Sequence, residues 1–163
     1  MEAGTIVALI FGGLGWVLAV IQTIQRHQEV RANQLLDALG YLTGKTQARN
    51  VGIAILQGLA PRSRQFRGAV VPLLANQAIY LLEESGEGSK AHEVENLRRI
   101  MNLATGLSTG KDFVGRPYAS ESIRSSLREL RHSVDRKLDG RTAAGLTVDT
   151  DQLQAWHQAL EQF

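Results

Sequence analysis

Ala3-Gly4-Thr5-Ile6-Val7-Ala8-Leu9-Ile10-Phe11-Gly12-Gly13-Leu14-Gly15-Trp16-Val17-Leu18-Ala19-Val20-Ile21 carries no charge, and Thr5 is its one strong hydrogen-bonding side chain. As a helix its 19 residues reach about 28 Å at 1.5 Å per residue, close to the hydrocarbon thickness of a bilayer. Ten positions are Leu, Ile, Val or Phe, together worth roughly −3 to −6 kcal/mol of insertion free energy at central positions. A cleaved signal peptide fits poorly, because Met1-Glu2-Ala3 holds no Lys or Arg and no small-x-small site follows. A buried core helix is the other reading, but a small domain cannot easily cover a helix that is apolar on every face. The stretch therefore predicts one transmembrane helix.

The flanks predict its orientation. Glu2 is the one charged side chain before the run. From Arg26 to Arg67 there are seven basic residues against Glu29 and Asp37, a net +5. Positive segments stay inside, so the N-terminus is expected outside the cell inner membrane and the domain in the cytoplasm. Arg26 and Arg31 are expected to face anionic headgroups. Within the run, Gly4, Ala8 and Gly12 form a small-xxx-small stripe, and Gly15 and Ala19 a second pair. Such stripes let helices approach closely in lipid, where apolar contact alone gives no advantage. A homo-oligomer is expected on that ground.

Beyond the run, residues 22–34 are mostly polar and free of Pro and Gly. The expected division is an anchor over 1–25, a helical stalk over 26–34 and a helical cytoplasmic domain over 35–163. The fold class is all-α, with about five helices after the span. Leu35, Leu36, Ala38 and Leu39 re-enter a core, with Gly40 as a stop. A helix over Gln47–Leu59 places Ala48, Val51, Ile55 and Leu59 on one face. A further helical region runs to Glu84 with Phe66, Val70, Leu73, Leu74, Leu81 and Leu82 inward and Pro72 as a kink or restart. Ser85 to Ser89 is a loop. The next helix aligns Val94, Leu97, Met101 and Ala104. Another spans about Ser120–Leu138, with Ile123, Leu127, Leu130, Val134 and Leu138 inward. The last starts at Asp149 or Thr150, both good N-caps, and carries Leu153, Trp156 and Leu160.

Residues Gln47-Ala48-Arg49-Asn50-Val51-Gly52-Ile53-Ala54-Ile55-Leu56 resemble the inner helix of HEAT-type repeats, in which Arg and small residues precede a Leu. The resemblance covers about residues 47–85 and implies a helical hairpin of a protein–protein interaction scaffold. No second copy follows at a fixed period, so a solenoid is not expected. In architecture alone the chain resembles the small one-span helical proteins of bacterial antiphage systems.

Composition excludes several chemistries. Without cysteine there are no disulfides, thiolate metal sites or thiol nucleophiles. A net charge of +2 is too small to imply nucleic-acid binding by itself, and no aromatic interleaving of the basic face supports it, so nucleic acid is not an expected partner. Gly40 to Thr46 and Gly106 to Asp112 each hold three residues between their glycines, where a phosphate-binding loop needs four. His27, His92, His132 and His157 are scattered, and Glu93 and Glu95 read as a solvated helix start. Arg128-Glu129-Leu130-Arg131-His132 is similar to the Arg…His motif of helical HEPN ribonucleases, with a shorter gap than that family uses. Arg124, Arg128 and Arg131 read as a solvated face with Glu121 and Asp135 for partners. No catalytic, cofactor-binding or metal residues are assigned, and an enzyme is disfavoured.

The long segment Gly106–Ala119, with Lys111, Phe113, Arg116 and Tyr118, is the expected partner loop. The expectation is a membrane-tethered helical interaction or scaffold module that self-associates, with membrane lipids, further copies and a protein as partners. The alternative is an oligomeric effector that forms a pore or perturbs the bilayer.

Overall fold

The computed structural model describes residues 29–30, 32–42, 44, 46–59, 64–84, 91–111, 114–142 and 144–163. The expected span with Gly4, Ala8, Gly12, Gly15 and Ala19, and the lipid-facing Arg26 and Arg31, lie outside the described residues. Among the described residues no helix is long and apolar enough to cross a membrane.

The chain divides into two units, Met1–Asp37 and Ala38–Phe163. In the first, described residues 29, 30 and 32–37 are helical, and Val30 and Leu36 are exposed. Leu36 therefore does not enter a core. Among the described residues the fold is all-α, with six helices and no strand: α1 (32–42), α2 (Thr46–Leu59), α3 (Arg64–Glu83), α4 (Ala91–Ser108), α5 (Glu121–Leu138) and α6 (Thr150–Leu160).

In the second unit α3 lies against α5 and α4, α6 packs on α5 and α4, and α2 on α4. The all-helical fold is compatible with a repeat-like one. Both helices of the hairpin expected over Gln47–Ser85 form, but α2 packs chiefly on α4 rather than along α3. The central α3 buries Val70, Val71, Leu74, Ala75, Ala78, Leu81 and Leu82 completely. Pro72 sits inside α3 without ending it. The proline supplies no N–H to the preceding turn, and the burial on either side holds the helix together. Leu73, expected inward, is 39% exposed.

Two further expectations are corrected. Gly40 does not stop α1, which continues to Leu42. Ala38 and Leu42, one turn apart, are both buried, and burying Leu42 outweighs the helix penalty of a glycine, about 1 kcal/mol. Expected core residue Val51 is 49% exposed; Ala48, Ile55 and Leu59 are half-buried, and the buried face is instead Arg49, Gly52, Ile53 and Leu56. The cause is Gly52. A Cβ there would stand 2.7 Å from the Ala38 carbonyl oxygen, so α1 and α2 cross backbone to backbone at that position and set the rotation of α2.

Local signals explain the last two helices. The Ser120 hydroxyl accepts from the Ile123 amide at 3.4 Å, and Glu121 and Arg136/Lys137 suit the two ends of the α5 dipole. α5 closes in a Schellman turn: Arg141 N donates to Arg136 O at 2.9 Å and Gly140 N to Lys137 O at 3.2 Å, with Gly140 at φ +68°. Asp149 caps α6 through the Asp151 amide at 2.8 Å. Between them the chain is tacked onto the end of α3, where Leu146 N donates to Leu81 O at 2.9 Å.

Candidate functional site: a polar cleft between α2 and α4

A cleft of about 780 Å³ opens between α2 and α4, lined by Gln47, Asn50, Ala91, His92, Glu95, Asn96 and Arg99. On α4, His92, Glu95, Asn96 and Arg99 fall at i, i+3, i+4 and i+7, which aligns them on one face. α2 presents Gln47 and Asn50 opposite. The volume lies within the range of small-ligand sites.

Arg99 spans the cleft. Its Nη1 donates to Asn50 Oδ1, and its Nη2 to Gln57 Oε1 at 2.9 Å. Both acceptors are neutral amides, so among the described residues the guanidinium is held in place without an ion pair to a carboxylate. Glu95 is engaged by Arg98, which donates from Nε at 2.8 Å and Nη2 at 2.7 Å. Those hydrogen bonds, ahead of the small opposing effect of burial, hold the Glu95 carboxyl below its ordinary value.

The same two helices are fastened beside the cleft by Arg49 and Glu93. Glu93, read from sequence as part of a solvated helix start, is fully buried and bonded by Arg49 Nη1. Arg49 also donates from Nε to Leu42 O at 3.1 Å and from Nη2 to Gly44 O at 3.2 Å. One guanidinium thus joins the end of α1, α2 and α4. A signal for it existed in the sequence. Arg49 is the only charged residue of α2, and Gly52, Ile53 and Leu56 follow it at i+3, i+4 and i+7.

The expected partner loop is shorter than read. α4 runs through Gly106 to Ser108, and Lys111 and Pro117 form an antiparallel bridge. Tyr118 N donates to Gly110 O at 3.1 Å, and Arg67 of α3 lies 3.6 Å from the Tyr118 ring centroid. Tyr118 is half-buried, with the Arg67 guanidinium stacked on its ring as a cation–π contact. Lys111, Val114 and Arg116 are exposed, and Phe113 lies outside the described residues.

At the other end of the unit α5 and α6 share a charged clamp. His157 Nδ1 lies 2.6 Å from Asp135 Oδ1, and its Nε2 lies 3.3 Å from Glu161 Oε1. Arg131 reaches Glu161 at 3.9 Å. The second ring nitrogen therefore meets a carboxylate, not a hydroxyl that it could activate. Arg131 serves this clamp, whereas Arg128 and His132 are exposed on α5. Among the described residues no group of three His, Asp or Glu could hold a metal ion. The phosphate-loop near-misses fall on helices at Gly40 and Gly106, so neither follows a strand.

The chain matches no protein-family model, no curated protein and no solved structure.

Proposed function

We propose that the chain is a membrane-tethered helical interaction module that self-associates. The observation that carries this reading is the α2–α4 cleft. Its polar side chains are placed by helix–helix contacts, and its shape and chemistry suit recognition rather than bond making. The resemblance of residues 47–56 to a HEAT inner helix supports the same reading. The tether rests on the apolar run Ala3–Ile21, and its orientation on the net +5 over Arg26–Arg67. The N-terminus is placed outside the cell inner membrane and the helical domain in the cytoplasm.

The test uses the full chain in cells. Carbonate-washed membranes should retain it, and a C-terminal reporter should be active on the cytoplasmic side. Replacing Ala8 and Gly12 by Leu should preserve retention while reducing cross-linked oligomers, because Leu is more lipophilic but keeps helices apart. Release by carbonate would refute the tether, and equal cross-linking would refute assembly through the stripe.

The same Gly4/Ala8/Gly12 stripe favours the second reading, an oligomeric effector that opens a pore. Dye leakage from vesicles containing the wild-type chain, abolished by the Ala8→Leu/Gly12→Leu pair, would put the pore ahead of the passive tether.

A further inference from the structure

On the reading of this domain as an interaction module, we infer that the α2–α4 cleft takes an extended acidic peptide whose carboxylate seats on Arg99. Among the described residues no carboxylate makes a hydrogen bond or ion pair with Arg99, and Glu95 acts on it only through space. Arg99 is held by the oxygens of Asn50 and Gln57, while Glu95, a carboxylate of the lining, is bonded twice by Arg98. A guanidinium fixed by two neutral acceptors keeps N–H groups to donate, and its planar fork matches a carboxylate. Because α2 and α4 already hold it in position, little ordering remains for binding to supply.

The rest of the lining matches a peptide backbone. Gln47 and His92 make no hydrogen bond among the described residues, and Asn50 uses its oxygen on Arg99 and leaves its amino group. A side-chain amide offers a donor and an acceptor on one planar group, as a peptide group does. Among the described residues no Phe, Tyr or Trp lines the cleft, which leaves little stacking surface for a run of nucleobases. His92 stands two turns before Arg99 on the same face of α4, within reach of a second acidic side chain.

Fluorescence anisotropy of the detergent-solubilised full chain with a fluorescein-labelled Ala-Glu repeat peptide tests this. The Ala-Gln repeat peptide is the control, and inorganic phosphate the competitor. Ala-Glu should bind at least about tenfold more tightly than Ala-Gln, and more weakly as salt rises. Arg99→Gln should remove that preference and Arg99→Lys should restore part of it. Arg99 also bridges two helices, so His92→Glu serves as the variant that leaves the fold alone. His92 is exposed with no partner among the described residues, and His92→Glu should weaken Ala-Glu binding without changing the circular dichroism. Equal binding of the two peptides, or no effect of His92→Glu and Arg99→Gln, would overturn the inference. So would complete competition by phosphate together with indifference to Asn50→Ala and Gln47→Ala, which would mark a simple anion site. Loss of peptide binding with membrane retention and cross-linking intact removes the acidic peptide alone. Release from membranes with peptide binding intact removes the tether alone.

Discussion

Arg49 on α2 and Glu93 on α4 form an ion pair whose side chains are 5% and 0% exposed. Two charges so far from water are tolerable only as a pair, and Arg49 adds bonds to the Leu42 and Gly44 carbonyls. Removing one partner leaves the other charge buried. Glu93→Gln and Arg49→Met should each cost about 3–5 kcal/mol of unfolding free energy. The double variant Arg49→Met/Glu93→Leu should recover much of that loss, because no orphaned charge remains. Urea titrations of the three variants measure this, and a double variant as unstable as the sum of the singles would refute the pairing.

Gly145 cannot accept a side chain. Its φ is +83°, and a Cβ would stand 2.1 Å from the Leu82 carbonyl oxygen. The neighbouring Leu146 is fully buried and bonded to Leu81, so the connector cannot lift away without exposing it. Gly145→Ala should destabilise the protein by about 2–4 kcal/mol. Gly140→Ala, also at positive φ but with nothing within 4 Å, should cost only about 1 kcal/mol. Equal melting temperatures for these two variants would contradict the close approach.

Glu83 of α3 pairs with Arg136 of α5. Burial pushes its carboxyl up, but the hydrogen bonds and charge of Arg136 and the charge of Lys137 pull the other way, leaving it below the ordinary 4.5. A lowered folded-state value means that the ionised form stabilises the fold above the ordinary value and that this contribution is lost as pH falls through the lowered one. The effect is small because Arg136 is 43% exposed and screened by water. Stability measured against pH should fall less steeply below about 4.5 in Glu83→Gln than in wild type. Parallel acid limbs would show that the pair contributes nothing.

Tyr118 holds the loop from Gly110 to its own position. Its ring lies over Arg67, and a Cβ on Gly110 would meet that ring at 3.2 Å. Tyr118→Phe keeps the ring face and should preserve the loop. Tyr118→Leu should lose about 0.5–2 kcal/mol of local cation–π attraction and speed tryptic cleavage after Lys111. Identical cleavage rates for the two variants would deny the anchor.

Much of the helical pattern was legible in the sequence. The buried set of α5 contains Ile123, Leu127, Leu130 and Val134, and α6 buries Leu153, Trp156 and Leu160, as their spacing predicts. Asp149 caps α6 as expected. α4 likewise buries Leu97, Met101 and Ala104. The cleft was not legible. Gln47 and Asn50 lie within the HEAT-like stretch, but His92 and Arg99 come from a helix more than thirty residues further on, and no local pattern brings the two pairs together.

What the sequence determined by itself is local: the apolar run Ala3–Ile21 with its basic flank, the helical periods, and caps formed by residues within a few positions of one another. What only the tertiary structure decided is which face of a helix turns inward where two faces are apolar, and which charges lose their water. α2 is apolar around a wide arc, and periodicity alone chose the half holding Val51. The backbone approach at Gly52 instead turns Ile53 and Leu56 inward and carries Arg49 with them. Glu93 lies 44 residues away along the chain. Its burial depends on Arg49 arriving opposite, because a carboxylate leaves water only when a partner replaces it.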